Sequence, residues 1–159
     1  MMDISNVCSA PLSPDNCSCP LNGDSAEFSS TEKTVLLSHR FLEECNKKYS
    51  IPKKTARHVQ VCSDEIMTNI VSYAHADTIC IRYGISDNAV ILTFEDDGIL
   101  YDPLQSKAPD VTLATRERQI GGLGLFLVKK ISRSVEYVAV NGRNRLQLVI
   151  DLPPDLMTE

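Results

Sequence analysis

Gly121-Gly122-Leu123-Gly124-Leu125-Phe126-Leu127-Val128-Lys129-Lys130 is the stretch on which the reading of this chain turns. Three glycines fall within four positions and lead into an apolar, helix-forming run that ends in lysines. Glycine lets backbone N–H groups approach a ligand with no Cβ in the way, and a helix N-terminus carries partial positive charge. Together the two make a cradle for phosphate. A small-residue turn entering a core helix has the same composition, so the meaning of the run depends on its surroundings.

Outward from these glycines, the helix they open is predicted to reach about Arg133, with Lys129, Lys130 and Arg133 suiting the negative end of its dipole. A C-terminal hairpin follows: Val135 to Val140, a turn at Asn141-Gly142, then Arg145 to Leu152. Upstream, Asp96 to Ile120 contains Pro103 and Pro109 and no strong pattern beyond a short helix. So long an irregular stretch inside one domain points to a functional lid. Before it, Asp77 to Tyr83 alternates as a half-buried strand, Ser86-Asp87-Asn88 turns, and Ala89 to Glu95 is apolar enough to be central. Two helices come first. One is capped by Ser30 or Thr31 and runs to about Tyr49, with Val35, Leu36, His39, Leu42 and Cys45 on its apolar stripe. The other starts at Pro52 and runs to about Ala74, with Val59, Cys62, Ile66, Ile70 and Tyr73 inside; His58 and Met67 lie off that stripe. A short strand, Ala26 to Ser29, precedes both, and residues 1–23 form a Pro- and Ser-containing flexible leader, leaving 24–159 as the folded domain. Hairpin-connected strands with helices on one face make an α+β two-layer sandwich, not a Rossmann fold.

Composition narrows the function classes. A chain of 159 residues holds one domain. A net charge of -5 argues against a general nucleic-acid binder, which needs basic surface. No apolar run approaches the roughly 20 residues of a membrane span, and no Lys or Arg precedes Lys33 to mark a secretory signal, so a cytoplasmic location is expected. Cys45, Cys62 and Cys80 sit in apolar segments, Cys8, Cys17 and Cys19 in the leader; no CxxC pair completes a zinc site, and free thiols are expected.

Two further motifs carry candidate chemistry. On the second helix, Glu65 and Asn69 are four apart and share the flank of the apolar stripe. A carboxylate and an amide there could hold a hydrated magnesium ion and a reacting hydroxyl, or simply form a solvated flank. At the end of the central strand, Phe94-Glu95-Asp96-Asp97-Gly98 offers a carboxylate two residues before a glycine. Such a carboxylate can accept a hydrogen bond from an adenine amine while the glycine lets the chain pass close to the base. An ordinary strand-to-turn junction has the same residues.

Their order along the chain decides between these readings. Glu-x-x-x-Asn on a helix, Asp-x-Gly after a strand and Gly-x-Gly opening a later helix together resemble the GHKL ATP-binding superfamily, with its Asn box and two glycine boxes. Tyr101-Asp102-Pro103 and the run Gly121 to Val128 further resemble the bacterial anti-sigma factor serine kinases of general-stress and sporulation control. The resemblance covers roughly residues 26 to 152 and implies the GHKL (Bergerat) two-layer sandwich, a mixed, mostly antiparallel sheet with helices on one face. It implies ATP and magnesium as cofactors, Glu65 as general base, Asn69 as magnesium ligand and Asp96 as the adenine-reading carboxylate, with Gly98 beside the base. Gly121, Gly122, Leu123, Gly124 and Leu125 would line the phosphates. The implied partners are a small anti-sigma-antagonist protein, phosphorylated on serine, and a sigma factor, with a homodimer as the usual assembly.

Three departures mark this chain. Tyr73 stands where many anti-sigma kinases have His, with His75 two further on; Leu100 stands where sporulation-type members often have Gly; and Arg116 and Arg118 lie near the glycine run but not against it. They bear on transfer activity and partner identity more than on fold. One alternative is an ATP-binding partner-switch module that transfers nothing, although such a binder has little need of Glu65. A histidine kinase catalytic module is another, given Ser38-His39-Arg40. Against it, His39 precedes Glu65 by only 26 positions (65 minus 39), which leaves no room for a second dimerisation helix, and a core histidine is expected there.

Overall fold

Alternation along the strands gives the sheet one apolar face and one polar face. The computed structural model describes residues 23–105 and 122–154. Their elements are β1 (Asp24–Ser29), α1 (Thr34–Lys48), α2 (Lys53–Asn69), β2 (Thr78–Ser86), β3 (Ala89–Asp96), α3 (Gly122–Ile131), β4 (Ser134–Val140) and β5 (Arg143–Asp151). A π-helical turn, Ile70–Ala74, extends α2, and a 3₁₀ turn spans Pro103–Gln105. The five strands run in the order β1-β2-β3-β5-β4, so the apolar β3 is central, as its composition predicts. The expected sheet was mixed and mostly antiparallel; all four pairings are antiparallel. The tight turns need backbone with positive φ: Asp87 and Asn88 supply it between β2 and β3, and Asn141 and Gly142 between β4 and β5.

The three helices cover one face. Ile79, Ile81 and Tyr83 of β2, Val90, Leu92 and Phe94 of β3, and Leu146, Leu148 and Ile150 of β5 form the core with Leu42, Val59, Cys62, Ile66, Met67, Leu125 and Val128. Burial pushes the thiol pKa of Cys45 up to about 12 and that of Cys62 up to about 11, and both are free. Among the described residues, no helix is long and apolar enough to cross a membrane. The expected leader lies outside the described residues except for Gly23.

On the face opposite the three helices, Glu95 is the hub of a charged cluster. Its carboxylate lies 3.1 Å from Arg145 Nε, 3.2 Å from Arg143 Nε and 3.7 Å from Arg82 Nη2. β2 and β5 thus both send guanidinium groups to one side chain of β3.

Several helix expectations are corrected. α1 begins at Thr34 with no side-chain cap from Ser30 or Thr31; instead Thr34 Oγ1 donates to the Ser29 carbonyl (2.7 Å) and accepts from the Thr31 amide (2.8 Å). Its buried face is Thr34, Ser38, Leu42, Cys45 and Asn46, rotated from the expected stripe, and Leu36 is 56% exposed. Polar residues can sit inside because they are satisfied: Ser38 Oγ donates to the Val35 carbonyl and Asn46 Oδ1 accepts from the Tyr83 hydroxyl. His39 is not a core histidine; its half-exposed ring lies 3.4 Å from Asp64 Oδ1. Met67 is fully buried, because α2 packs against α1, α3 and the sheet and so buries a broader face than one stripe. Tyr73 is 61% exposed. The i→i+5 turn at Ile70–Ala74 inserts a residue relative to an α-helix, which carries Tyr73 off the apolar stripe.

Candidate functional site

The C-terminal half of α2 with its π turn contacts two segments far from it in sequence: the first turn of α3, through Glu65 and Gly124, and the chain leaving β3, through Ala74 and Gly98. Glu65 lies on α2, half-buried, and its carboxylate abuts Gly124, the third residue of α3. A Cβ at position 124 would overlap Glu65 Oε2 and lie 2.5 Å from its Cδ. Glycine at 124 is therefore the condition for that carboxylate to rest on the helix terminus. Asn69 ends α2 one turn beyond Glu65 and is half-buried.

Three consecutive acids at the end of β3 and just beyond it have three different surroundings, the first two on opposite faces as strand alternation requires. Glu95 faces the arginines on the side opposite the helices. Asp97, exposed, works as a connector: Oδ1 accepts from the Asp77 and Thr78 amides at 2.8 and 3.0 Å, and Oδ2 from the Thr78 hydroxyl at 2.9 Å. Those bonds, the Thr78 amide foremost, hold the Asp97 carboxyl below its usual pKa. Asp96, between them, is buried at 4% exposure on the helix side. Its Oδ1 accepts from the Gly98 amide at 2.9 Å and from Asn144 Nδ2 at 2.9 Å.

Gly98 is needed for a close approach. A Cβ there would overlap the Ala74 carbonyl and lie 2.8 Å from Ala74 Cβ, while the next amide, Ile99 N, donates to that carbonyl at 2.8 Å. The Asp-x-Gly segment is thus pinned to the π turn that follows Asn69. The predicted residues Glu65 and Gly124 touch, Asp96 and Gly98 are bonded, and Gly98 packs on the extension of the Asn69 helix. Gly122 and Leu123 open α3; their side-chain surroundings, and Gly121, lie outside the described residues, as do Arg116 and Arg118. Leu125 points into the core at 8% exposure, so only its backbone faces the end of the helix.

Asn144 is a site residue that sequence reading missed. It sits on β5 directly opposite Asp96 in the antiparallel register. The available signal was the hairpin itself: counting forward from the Asn141-Gly142 turn fixes β5 but not its pairing with β3.

The arrangement suits a nucleotide. A buried acceptor sits at one end, and the first turn of α3, with no acidic residue of its own, sits at the other. Among the described residues, no group of three or more His, Cys, Asp or Glu could hold a metal ion unaided. A cation here would draw ligands from phosphate and water, with an amide such as Asn69 as a minor partner.

Known proteins share this plan. The chain is 28% identical over 136 residues to the serine/threonine-protein kinase BtrW of Bordetella bronchiseptica, covering 83% of this chain and 96% of that protein. Its fold resembles the solved RsbU and RsbW domains of Rv1364c from Mycobacterium tuberculosis, with a TM-score of 0.56 at 13% identity over 80% of this chain. The match takes in 32% of that longer protein. Residues 28–150 match the histidine kinase-like ATPase domain, and the chain belongs to that family.

Proposed function

We propose that this protein is an ATP- and magnesium-dependent serine kinase of the anti-sigma type, which phosphorylates a small antagonist protein and holds a sigma factor. Membership of the ATPase family and similarity to a serine/threonine kinase support the class. The observation that carries the proposal is the contact between the Glu65 carboxylate and Gly124, a carboxylate beside a helix terminus suited to phosphate. A pure nucleotide binder has no use for a carboxylate there, since it would repel phosphate.

In this reading Asp96 accepts a hydrogen bond from the adenine amine, Gly98 keeps the chain clear of the base, and the backbone of residues 121–125 binds the phosphates. Magnesium, when bound, offsets phosphate charge, and Asn69 supplies one oxygen toward it. Glu65 takes the proton of the acceptor serine as its oxygen bonds to the γ-phosphorus and the bond from that phosphorus to the β-phosphate oxygen breaks, leaving ADP. The departure at Tyr73 falls on an exposed side chain and leaves the Glu65–Gly124 contact intact.

The test is transfer from γ-labelled ATP, with magnesium, to candidate antagonist proteins. Glu65→Gln should keep ATP affinity and lose about 10²–10⁴-fold in transfer, the usual contribution of a general base. Undiminished transfer by Glu65→Gln removes the residue from the mechanism, and absence of ATP binding by the wild type defeats the whole proposal.

A further inference from the structure

Asn144 is 7% exposed, and all four hydrogen-bonding positions of its side chain are used. Nδ2 donates to Asp96 Oδ1 and to the Ile99 carbonyl, each at 2.9 Å. Oδ1 accepts from the Tyr101 amide at 3.0 Å and from the Tyr137 hydroxyl at 2.7 Å. A backbone N–H can only donate, so the Tyr101 amide fixes which end of the Asn144 amide faces Asp96. Burial, with the Asp102 carboxylate nearby, raises the Tyr137 phenol above its usual pKa and keeps it a donor at neutral pH.

The consequence falls on Asp96. The terminal torsion of an aspartate is soft and broad. Here two donors, Asn144 Nδ2 and the Gly98 amide, converge on the same oxygen and hold the carboxylate in one rotation. Among the described residues, every hydrogen bond to Asp96 goes to Oδ1, so Oδ2 remains as a single acceptor of fixed direction. We infer that Asn144 is a positioning residue for base selection, locking Asp96 so that the site takes a purine carrying a ring amine in preference to one carrying a ring carbonyl. A carbonyl at that position would set acceptor against acceptor. An unlocked carboxylate can turn to meet the neighbouring ring N–H of such a base and admit it. This rests on the proposed reading of Asp96 as the base contact.

The test compares the affinities of ATP and ITP by calorimetry with magnesium in the full-length wild type, Asn144→Ala and Tyr137→Phe, each checked for folding by thermal unfolding. A hydrogen bond to a charged acceptor contributes about 1.5–3 kcal/mol, so the wild type should prefer ATP by at least about tenfold. In Asn144→Ala the ATP affinity should fall about tenfold while ITP affinity changes by less than about threefold, so that the preference collapses. Tyr137→Phe removes one of the two donors fixing the amide and should reduce the preference about threefold. That variant decides the matter if Asn144→Ala does not fold. Equal losses for both nucleotides, or an unchanged ratio, would show a merely structural asparagine and overturn the inference. A wild type that binds neither nucleotide refutes the ATP reading itself, and one that binds both equally refutes the role of Asp96 and this inference with it.

Discussion

Replacing Gly124 by alanine separates the stability of the site from its chemistry. The added methyl would overlap Glu65 Oε2 and lie 2.5 Å from Cδ and 3.1 Å from Cγ. These atoms are the far end of a flexible, half-buried side chain, so the backbone need not move; Glu65 must swing away. Forcing a side chain off its preferred rotamer costs about 0.5–1.5 kcal/mol. Alanine in place of glycine near the start of a helix returns roughly 0.5–1 kcal/mol. The two nearly cancel, and about 1 kcal/mol in a domain of this size moves the melting temperature by only about 2–4 °C. Transfer is another matter. With the carboxylate displaced, most of the roughly 10²–10⁴-fold contribution of a positioned base should disappear. The assay is γ-phosphoryl transfer at saturating ATP, with the melting temperature measured on the same samples. The decisive control is the double variant: with Glu65→Ala already in place, adding Gly124→Ala should have little further effect on transfer, because the group it displaces is gone. Full additivity of the two changes would refute the reasoning, since it would mean that Gly124 acts without Glu65.

Gly98→Ala should behave in the opposite way, because the methyl would meet the Ala74 carbonyl, which is backbone and cannot swing aside. Overpacking of this kind costs about 1–3 kcal/mol, so a melting temperature lowered by roughly 3–10 °C is expected, and an unchanged value would show that the Asp-x-Gly segment is not pinned to the π turn. Asp97 predicts a pH dependence. Its folded pKa is lowered from 3.8, chiefly by the Thr78 amide, so its stabilisation is full above that value and is lost as pH falls through the lower folded value. Asp97→Asn should therefore show a shallower loss of stability than the wild type in denaturant titrations taken from pH 5 to pH 3, and parallel curves would exclude the effect.

The parts of this molecule set by local pattern were legible in the sequence. The alternation of Ile79, Ile81 and Tyr83, the apolar run of β3 and the Asn141-Gly142 turn each specify a local geometry, and the sheet follows from them. The order of the motifs at Glu65, Asp96 and Gly124 could be read for the same reason. What escaped depends on contacts between distant segments. Alternation puts Asp96 on the face of Phe94, but that Asn144 stands opposite it follows only from the pairing of β3 with β5. The inserted turn at Ile70–Ala74 has no sequence mark, since Ile-Val-Ser-Tyr-Ala suits an ordinary helix, and the residues it meets, Gly98 and Ile99, are far away in sequence. Thr34, Ser38 and Asn46 look like solvent-facing residues until their hydrogen-bond partners are known.

Glu95 bears on the accuracy of folding. In the observed alignment it meets guanidinium groups from both flanking strands, Arg82 on one side and Arg143 and Arg145 on the other. Sliding β3 by one residue would turn Glu95 into the helix-covered interior and bring Phe94 or Asp96 out to face those three cations. Stranding a buried charge in this way costs on the order of several kcal/mol, comparable to the net stability of a whole domain. The shifted sheet would keep most of its backbone hydrogen bonds, but it would also turn Val90, Leu92 and Phe94 out of the core, so charge and apolar pattern reject it together. A single carboxylate shared among three strands thus acts as a proofreading mark that only the correct alignment satisfies.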